Sequence, residues 1–338
     1  MKLYFIKRIA QMMVILIGVS VITFVLSRVL PGSPVEMMLG HRPTPEQIAA
    51  AEAELGLDKP LPVQFVRYLT DLASGDLGKS LRTGRPVKED LFIRFGATFE
   101  LTTLALLTVI VIGIPLGVLS AVKQNSMIDH FTRTGSIAGM ALPVFLIGML
   151  LQMLFYGKLH LLPLQGRIHA EIPLDHPFDA VTGLYLIDSL LAGQWLAFKS
   201  AAAHLTLPVL TLALASLAVV TRITRNTMVE VLQEDHIKTL RAYGVSSRLV
   251  YFKYALKATL IPLLTVIGLT YGYMLGGSVV VEFIFDWPGM GGYVVGAITQ
   301  SDFPAVMGVT IFLSTIYLTL NLIIDLTYNR VDPRLAKP

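Results

Sequence analysis

The chain has 338 residues, 54% of them hydrophobic and only 15% charged, against about a quarter charged in a soluble domain, so water is not its main solvent. It has no cysteine, which excludes disulfide frameworks, Cys-held zinc or iron–sulfur clusters, and a thiol nucleophile. The net charge of +4 raises the question of nucleic acid, but the basic residues flank apolar runs, which fits membrane orientation and not nucleic-acid binding.

A membrane-crossing helix needs about 20 largely apolar residues. Six stretches qualify: Ile9–Leu30, Thr98–Val122, Thr134–Tyr156, His204–Thr221, Thr259–Val281 and Pro304–Leu326. Their few charges, Arg28, Glu100, Asp325 and the flanking Arg222 and Glu282, fall at segment ends, where long side chains reach the interface. The first stretch follows Lys2, Lys7 and Arg8. It is too long for a signal-peptide core, has no small-residue cleavage site after it, and reads as an uncleaved span. The segments 1–8, 123–133, 223–258 and 328–338 hold 14 Lys/Arg in 66 residues, against 11 in 134 for 31–97, 158–203 and 283–303. That bias predicts cytoplasmic N- and C-termini.

The outer segment 31–97 is long and patterned, and is expected to fold. Thr44-Pro45-Glu46-Gln47 forms a capping box that predicts a helix over 45–55, stopped by Gly56. Pro62 opens a second run, with Val63, Val66, Leu69 and Ala73 at helical spacing, ending near Gly75. Gly75-Asp76-Leu77-Gly78-Lys79-Ser80 superficially resembles a phosphate-binding loop. Ala73 stands where that motif requires its first glycine, so a loop cap is the reading.

In the second outer loop, His169, Glu171, Asp175 and His176 are metal-ligand types, but no ligand geometry is specified. They read as a solvated loop, with nickel kept as the alternative. The inner segment 223–258 is polar and interrupted by one glycine. Gly244 fits a helix C-cap and Ser246 or Ser247 an N-cap, so two short helices joined by a tight turn are expected, with Ile237 and Leu240 on one apolar stripe. An ordinary basic juxtamembrane loop is the alternative. Pro115, Pro143, Pro208 and Pro262 sit within spans and permit kinks. Trp287-Pro288-Gly289 reads either as part of a periplasmic gate or as an interfacial aromatic anchor.

These features together resemble the inner-membrane permeases of ATP-binding-cassette importers, the dipeptide, oligopeptide and nickel group. The resemblance rests on Gly244 followed at the family's spacing by Ala258-Thr259-Leu260-Ile261-Pro262, on Leu30-Pro31-Gly32-Ser33-Pro34, and on Glu54-Leu55-Gly56-Leu57-Asp58-Lys59-Pro60. Further matches are Gly75-Asp76-Leu77-Gly78, Phe285-Asp286-Trp287-Pro288-Gly289-Met290-Gly291 and Val331-Asp332-Pro333-Arg334. Lys238-Thr239-Leu240 depart from the broader importer signature, which reads Glu-Ala-Ala there. Leu162-Pro163-Leu164-Gln165-Gly166-Arg167 and Thr182-Gly183-Leu184 look more like the dipeptide branch than the glutathione branch.

The resemblance implies an all-α membrane protein of the type I importer (MetI-like) permease fold with about six transmembrane helices. Its expected divisions are a first span over 1–30, a periplasmic helical insertion over 31–97, a permease core over 98–327 and a cytoplasmic tail over 328–338. It also implies a bacterial inner-membrane location, a second homologous permease, two cytoplasmic ATP-binding subunits carrying ATP and Mg, and a periplasmic or lipid-anchored substrate-binding protein. This chain then binds no cofactor or metal and is not itself an enzyme. Coupling to the ATPase falls on Glu234, Asp235, Ile237, Lys238, Leu240, Arg241, Ala242, Gly244, Val245 and Ser246, and the gate on Trp287, Pro288 and Gly289. The substrate class is di- or oligopeptides, with nickel or another small solute as the alternative. A secondary carrier is the rival class, but it needs mid-span ionisable groups that the sequence does not offer. An intramembrane hydrolase lacks its motifs.

Overall fold

The structure, a computed structural model, describes residues 2–29, 44–172 and 181–331. Among these, all regular structure is helical apart from one isolated bridge between Lys79 and Pro86. In chain order the helices are α1 (Lys2–Val29), α2 (Pro45–Leu55), α3 (Leu61–Ser74), α4 (Val87–Val122), α5 (Met127–Ala141), α6 (Val144–Lys158), α7 (Tyr185–Leu191), α8 (Trp195–Val231), α9 (Asp235–Ala242), α10 (Ser247–Ile284), α11 (Met290–Thr299) and α12 (Phe303–Val331). Short π-helical stretches interrupt α4 at Val109–Gly113 and α10 at Val250–Ala255, and close α6 at Gln152–Lys158. The stretch in α4 lies immediately before Pro115, whose ring cannot join a regular helical ladder.

Helices α1, α4, α8, α10 and α12 are long and apolar enough to cross a membrane, and α5 with α6 makes a sixth if that bent pair counts as one span. The expected span over Thr134–Tyr156 is sharply bent at Pro143, one of the prolines expected to permit a kink. Its two halves meet at 105°, because Pro143 forces the preceding Leu142 out of the helical region (ψ 129°). The expected spans His204–Thr221 and Thr259–Val281 are only the central parts of α8 and α10, which have 37 and 38 residues. At about 1.5 Å per residue each reaches roughly 55 Å, well beyond a hydrocarbon core of about 30 Å. Pro208 and Pro262 lie inside these helices without ending them.

The chain divides into two compact units: Met1–Gly96 with Gly289–Leu320, and Ala97–Pro288 with Asn321–Pro338. In the first unit, Thr44 and Gln47 cap α2 reciprocally, Gln47 N donating to Thr44 Oγ1 (3.3 Å) and Thr44 N to Gln47 Oε1 (2.9 Å). Helix α3 ends at Gly75 (φ 81°), where Gly75 N and Asp76 N return to the carbonyls of Leu72 and Asp71. Phe65 and Tyr68 of α3 meet Phe24 of α1. Further backbone N–H groups of the Gly75–Ser80 stretch are spent on the turn itself: Gly78 N donates to Asp76 Oδ1 and Ser80 N to Arg85 O. This is a capped hairpin, not a cradle for phosphate. Asp302 receives Ser80 Oγ at 2.5 Å and Arg82 N at 3.1 Å, fastening the hairpin to the start of α12 over a core of Val87, Leu91, Met290, Tyr293, Ala305 and Val309.

In the second unit the core joins Leu101, Ala105 and Val109 of α4 with Leu205, Leu212 and Val220 of α8 and Leu263, Met274 and Val281 of α10. Helices α4 and α8 approach so closely that a Cβ at Gly117 would lie 2.6 Å from Thr224 Cβ. A smaller apolar cluster closes one end of this unit, and α9 is part of it.

Candidate functional site

Helix α9 lies on that smaller cluster. Ile237 is fully buried and Leu240 half-buried, against Val118 and Ala121 of α4, Met228 and Val231 of α8, and Val250 and Ala255 of α10. Glu234 occupies the N-cap without a side-chain cap bond, and its carboxylate lies 3.0 Å from His236 Nδ1. Asp235, Lys238, Arg241 and Ala242 face outward. Lys238 Nζ is 2.9 Å from Asp235 Oδ1 and holds that carboxyl below its ordinary pKa. Arg241 also lies over the ring of Tyr251.

The helix stops in a Schellman turn: Gly244 N donates to Arg241 O (3.0 Å) and Val245 N to Leu240 O (3.1 Å), with Gly244 at φ 75°. Val245 packs on the same apolar cluster. One sequence expectation is corrected here and another is met by position alone. The run after Gly244 is not a separate short helix but the first turns of α10, which runs on through the π-helical stretch at Val250–Ala255 to Ile284. Ser246 does take the N-cap position, yet its hydroxyl makes no cap hydrogen bond.

Beside the turns of α4 and α8 that contribute to this cluster lies an ion pair that sequence reasoning did not single out. Arg225 of α8 forks onto Asp129 of α5, Nε to Oδ1 at 2.6 Å and Nη2 to Oδ2 at 2.8 Å. Asp129 also accepts Ser120 Oγ from α4 at 2.6 Å and Asn125 N at 2.9 Å, so its fully buried carboxylate has four hydrogen bonds. The available signal was a lone Asp opening an apolar helix behind an N-cap serine, Ser126.

At the other end of the same helices, Trp287 is 2% exposed and its indole N–H donates to Ala97 O at 2.9 Å. The interfacial-anchor reading is therefore corrected, since an anchoring tryptophan stands at the lipid surface. Pro288 is exposed and Gly289 is the N-cap of α11. Glu100 and Glu282 do not reach an interface either. Both are buried, Glu100 paired with Arg167 (Oε2 to Nη2, 2.6 Å) and Glu282 accepting Thr98 Oγ1 at 2.7 Å. Arg167 additionally stacks on Tyr185 and bonds Gly183 O, while Glu100 Oε1 accepts Leu186 N. Gln152 donates to Leu164 O and Ile284 O, and Gly166 N to Phe285 O. The segment from Leu164 to Arg167 is thus held at both ends of its turn.

Of the four metal-ligand types in this loop, His169 is placed with its ring edge-on to His204 of α8, 4.9 Å between centroids, and its backbone N–H on Ser200 Oγ. Asp175 and His176 lie outside the described residues. No three His, Asp or Glu side chains gather into a metal-holding group among the described residues.

Residues 113–337 match the family described as "Binding-protein-dependent transport system inner membrane component", and residues 1–102 match its N-terminal companion. The chain is 47% identical over 326 residues to the probable D,D-dipeptide transport system permease protein DdpB of Escherichia coli (strain K12), covering 96% of this chain and 95% of that one. It is 39% identical to the dipeptide transport system permease protein DppB of Alkalihalophilus pseudofirmus, covering 99% of each. To the glutathione transport system permease protein GsiC of Pectobacterium atrosepticum it is 36% identical, over 98% of this chain and 97% of that one.

Proposed function

From the premise that this chain belongs to the family of inner membrane components of binding-protein-dependent transport systems, we propose that it is a permease subunit of an ATP-driven dipeptide importer. It forms the translocation pathway with a second, homologous permease. Two cytoplasmic ATPase subunits supply ATP and Mg, and an external binding protein delivers the peptide. In this reading N- and C-termini are cytoplasmic, α2 and α3 belong to a helical insertion on the binding-protein side, and this chain holds no cofactor of its own. Dipeptides are favoured over glutathione by the higher identity to permeases named for dipeptides.

The observation that carries the reading is the two-faced α9. Ile237 and Leu240 fasten it to the ends of α4, α8 and α10, while Asp235, Lys238, Arg241 and Ala242 remain exposed for a partner. A short helix rooted on three spanning helices transmits a push as a lever does, where a loose loop would absorb it. ATP-driven closure of the ATPase pair would move α9 and, through it, those three helices. At the opposite end, the 287–289 turn is the proposed gate: Trp287 locks the end of α10 to Ala97, and its release would open that end.

The test is uptake of a labelled dipeptide into vesicles holding the complete complex, with Gly244→Pro as the comparison. Proline fixes φ near −65°, about 140° from the observed φ of 75°, and cannot make the Schellman turn. Import is expected in the wild type with ATP and to be lost in an assembled Gly244→Pro complex. Uptake that persists without the ATPase subunits would sink the reading in favour of a secondary carrier, and uptake of nickel or glutathione in preference to dipeptides would correct the substrate.

A further inference from the structure

We infer that Asp129 and Arg225 are a positioning pair that sets the register of the seat on which α9 rests, so that movement of α9 is passed on without slippage. The inference depends on α9 being the ATPase-docking element. The geometry joins three helices at one carboxylate. Asp129 is carried by α5, Arg225 by α8 and Ser120 by α4, and Asp129 Oδ1 accepts from both Arg225 Nε and Ser120 Oγ at 2.6 Å. Asp129 Oδ2 takes Arg225 Nη2 and Asn125 N, tying in the turn between α4 and α5.

The polar fastener and the apolar seat are built from neighbouring residues of the same turns. Ser120 lies between Val118 and Ala121, and Arg225 stands one turn before Met228 and two before Val231. Those four apolar residues belong to the same buried cluster as Ile237. Apolar packing resists separation of α4 and α8, which approach closely where Gly117 faces Thr224. A bidentate guanidinium–carboxylate fork is directional and fixes both axial position and rotation. Well-packed apolar residues would give comparable stability without that register. The pair therefore holds α4, α5 and α8 as one block beneath α9.

The experiment uses the complete complex in vesicles and reads two quantities per assembled complex: ATP hydrolysed and dipeptide imported. For Asp129→Asn the expected result is roughly tenfold less dipeptide imported per ATP, with hydrolysis within about twofold of wild type. Arg225→Lys, which keeps the charge but not the fork, should fall between. A purely structural role would reduce the number of complexes and leave the ratio at its wild-type value, and that result overturns the inference. Should Asp129→Asn fail to assemble, Ser120→Ala removes one hydroxyl and leaves the ion pair; its ratio is expected to drop by roughly two- to threefold. An unchanged ratio in every variant that assembles sinks the proposal. Failure of wild type to couple import to ATP would instead overturn the functional reading, so the two failures are distinguishable.

Discussion

The two ends of α4 and α8 are built alike in chemistry and differently in purpose. Each contains an arginine paired at 2.6 Å with a buried carboxylate: Arg167 with Glu100 at the Trp287 end, Arg225 with Asp129 at the α9 end. At the Trp287 end the pair binds irregular chain to a helix, since Arg167 also holds Gly183 O and Glu100 also takes Leu186 N. At the α9 end it binds helix to helix, and the short helix is seated on the apolar cluster with Arg241 over the Tyr251 ring. One end is thus stapled through its loops, while the other is a platform of spanning helices carrying the short helix proposed to couple to a partner. A buried ion pair does not reveal its role by its strength; the role follows from what else its two side chains hold.

The largest expected effect breaks the stapled end. Glu100→Ala leaves Arg167 buried without its carboxylate and should cost about 3–5 kcal/mol, seen as a lowered midpoint of thermal unfolding in detergent. The double replacement Glu100→Leu with Arg167→Leu should recover most of that loss. If the single variant melts as the wild type does, the staple carries no stability and the comparison fails on that side.

Ile237→Ala tests the platform end. Removing a fully buried Ile side chain costs about 2–5 kcal/mol, here felt by the seating of α9. Amide hydrogen exchange should quicken across 235–245 while the protection of α4 and α8 is kept. Equal loss of protection in all three would mean that α9 is an integral part of the bundle and not a seated lever.

A smaller effect is expected for Gly244→Ala. The φ of 75° costs an alanine about 1–2 kcal/mol, yet open space surrounds the position, so no clash adds to it. Import should fall modestly and fraying of the α9 end should be visible in exchange rates. A complete loss would show that the partner itself fills that space.

Smallest is Lys238→Ala, on the exposed face. Because Lys238 holds the Asp235 carboxyl below its ordinary range, whatever the pair contributes is present above the ordinary carboxyl pKa and is lost as pH falls through the lowered value. The variant should return the Asp235 titration to the ordinary range by NMR and leave thermal stability unchanged. A changed melting point would reveal a structural load on the face assigned to a partner.

The helical insertion, the turn at Gly244 and the apolar stripe of Ile237 and Leu240 were legible in the sequence. They are local: a capping box, a left-handed glycine and a four-residue spacing are decided within one or two turns of chain. The site of the bend in the third span was legible too, but not its size, since Pro143 can be absorbed in a helix or break it, and only the surrounding packing chooses.

Composition and the spacing of apolar runs determined by themselves that this is a multi-span helical membrane protein, because hydrocarbon demands long apolar helices wherever the chain crosses it. Which charges are paired was decided only by tertiary structure. Glu100 finds Arg167 67 residues away, and Asp129 finds Arg225 at 96. A carboxylate at the end of an apolar run looks the same in sequence whether it snorkels to water or is buried against a guanidinium, and the partner that makes the difference comes from another part of the chain.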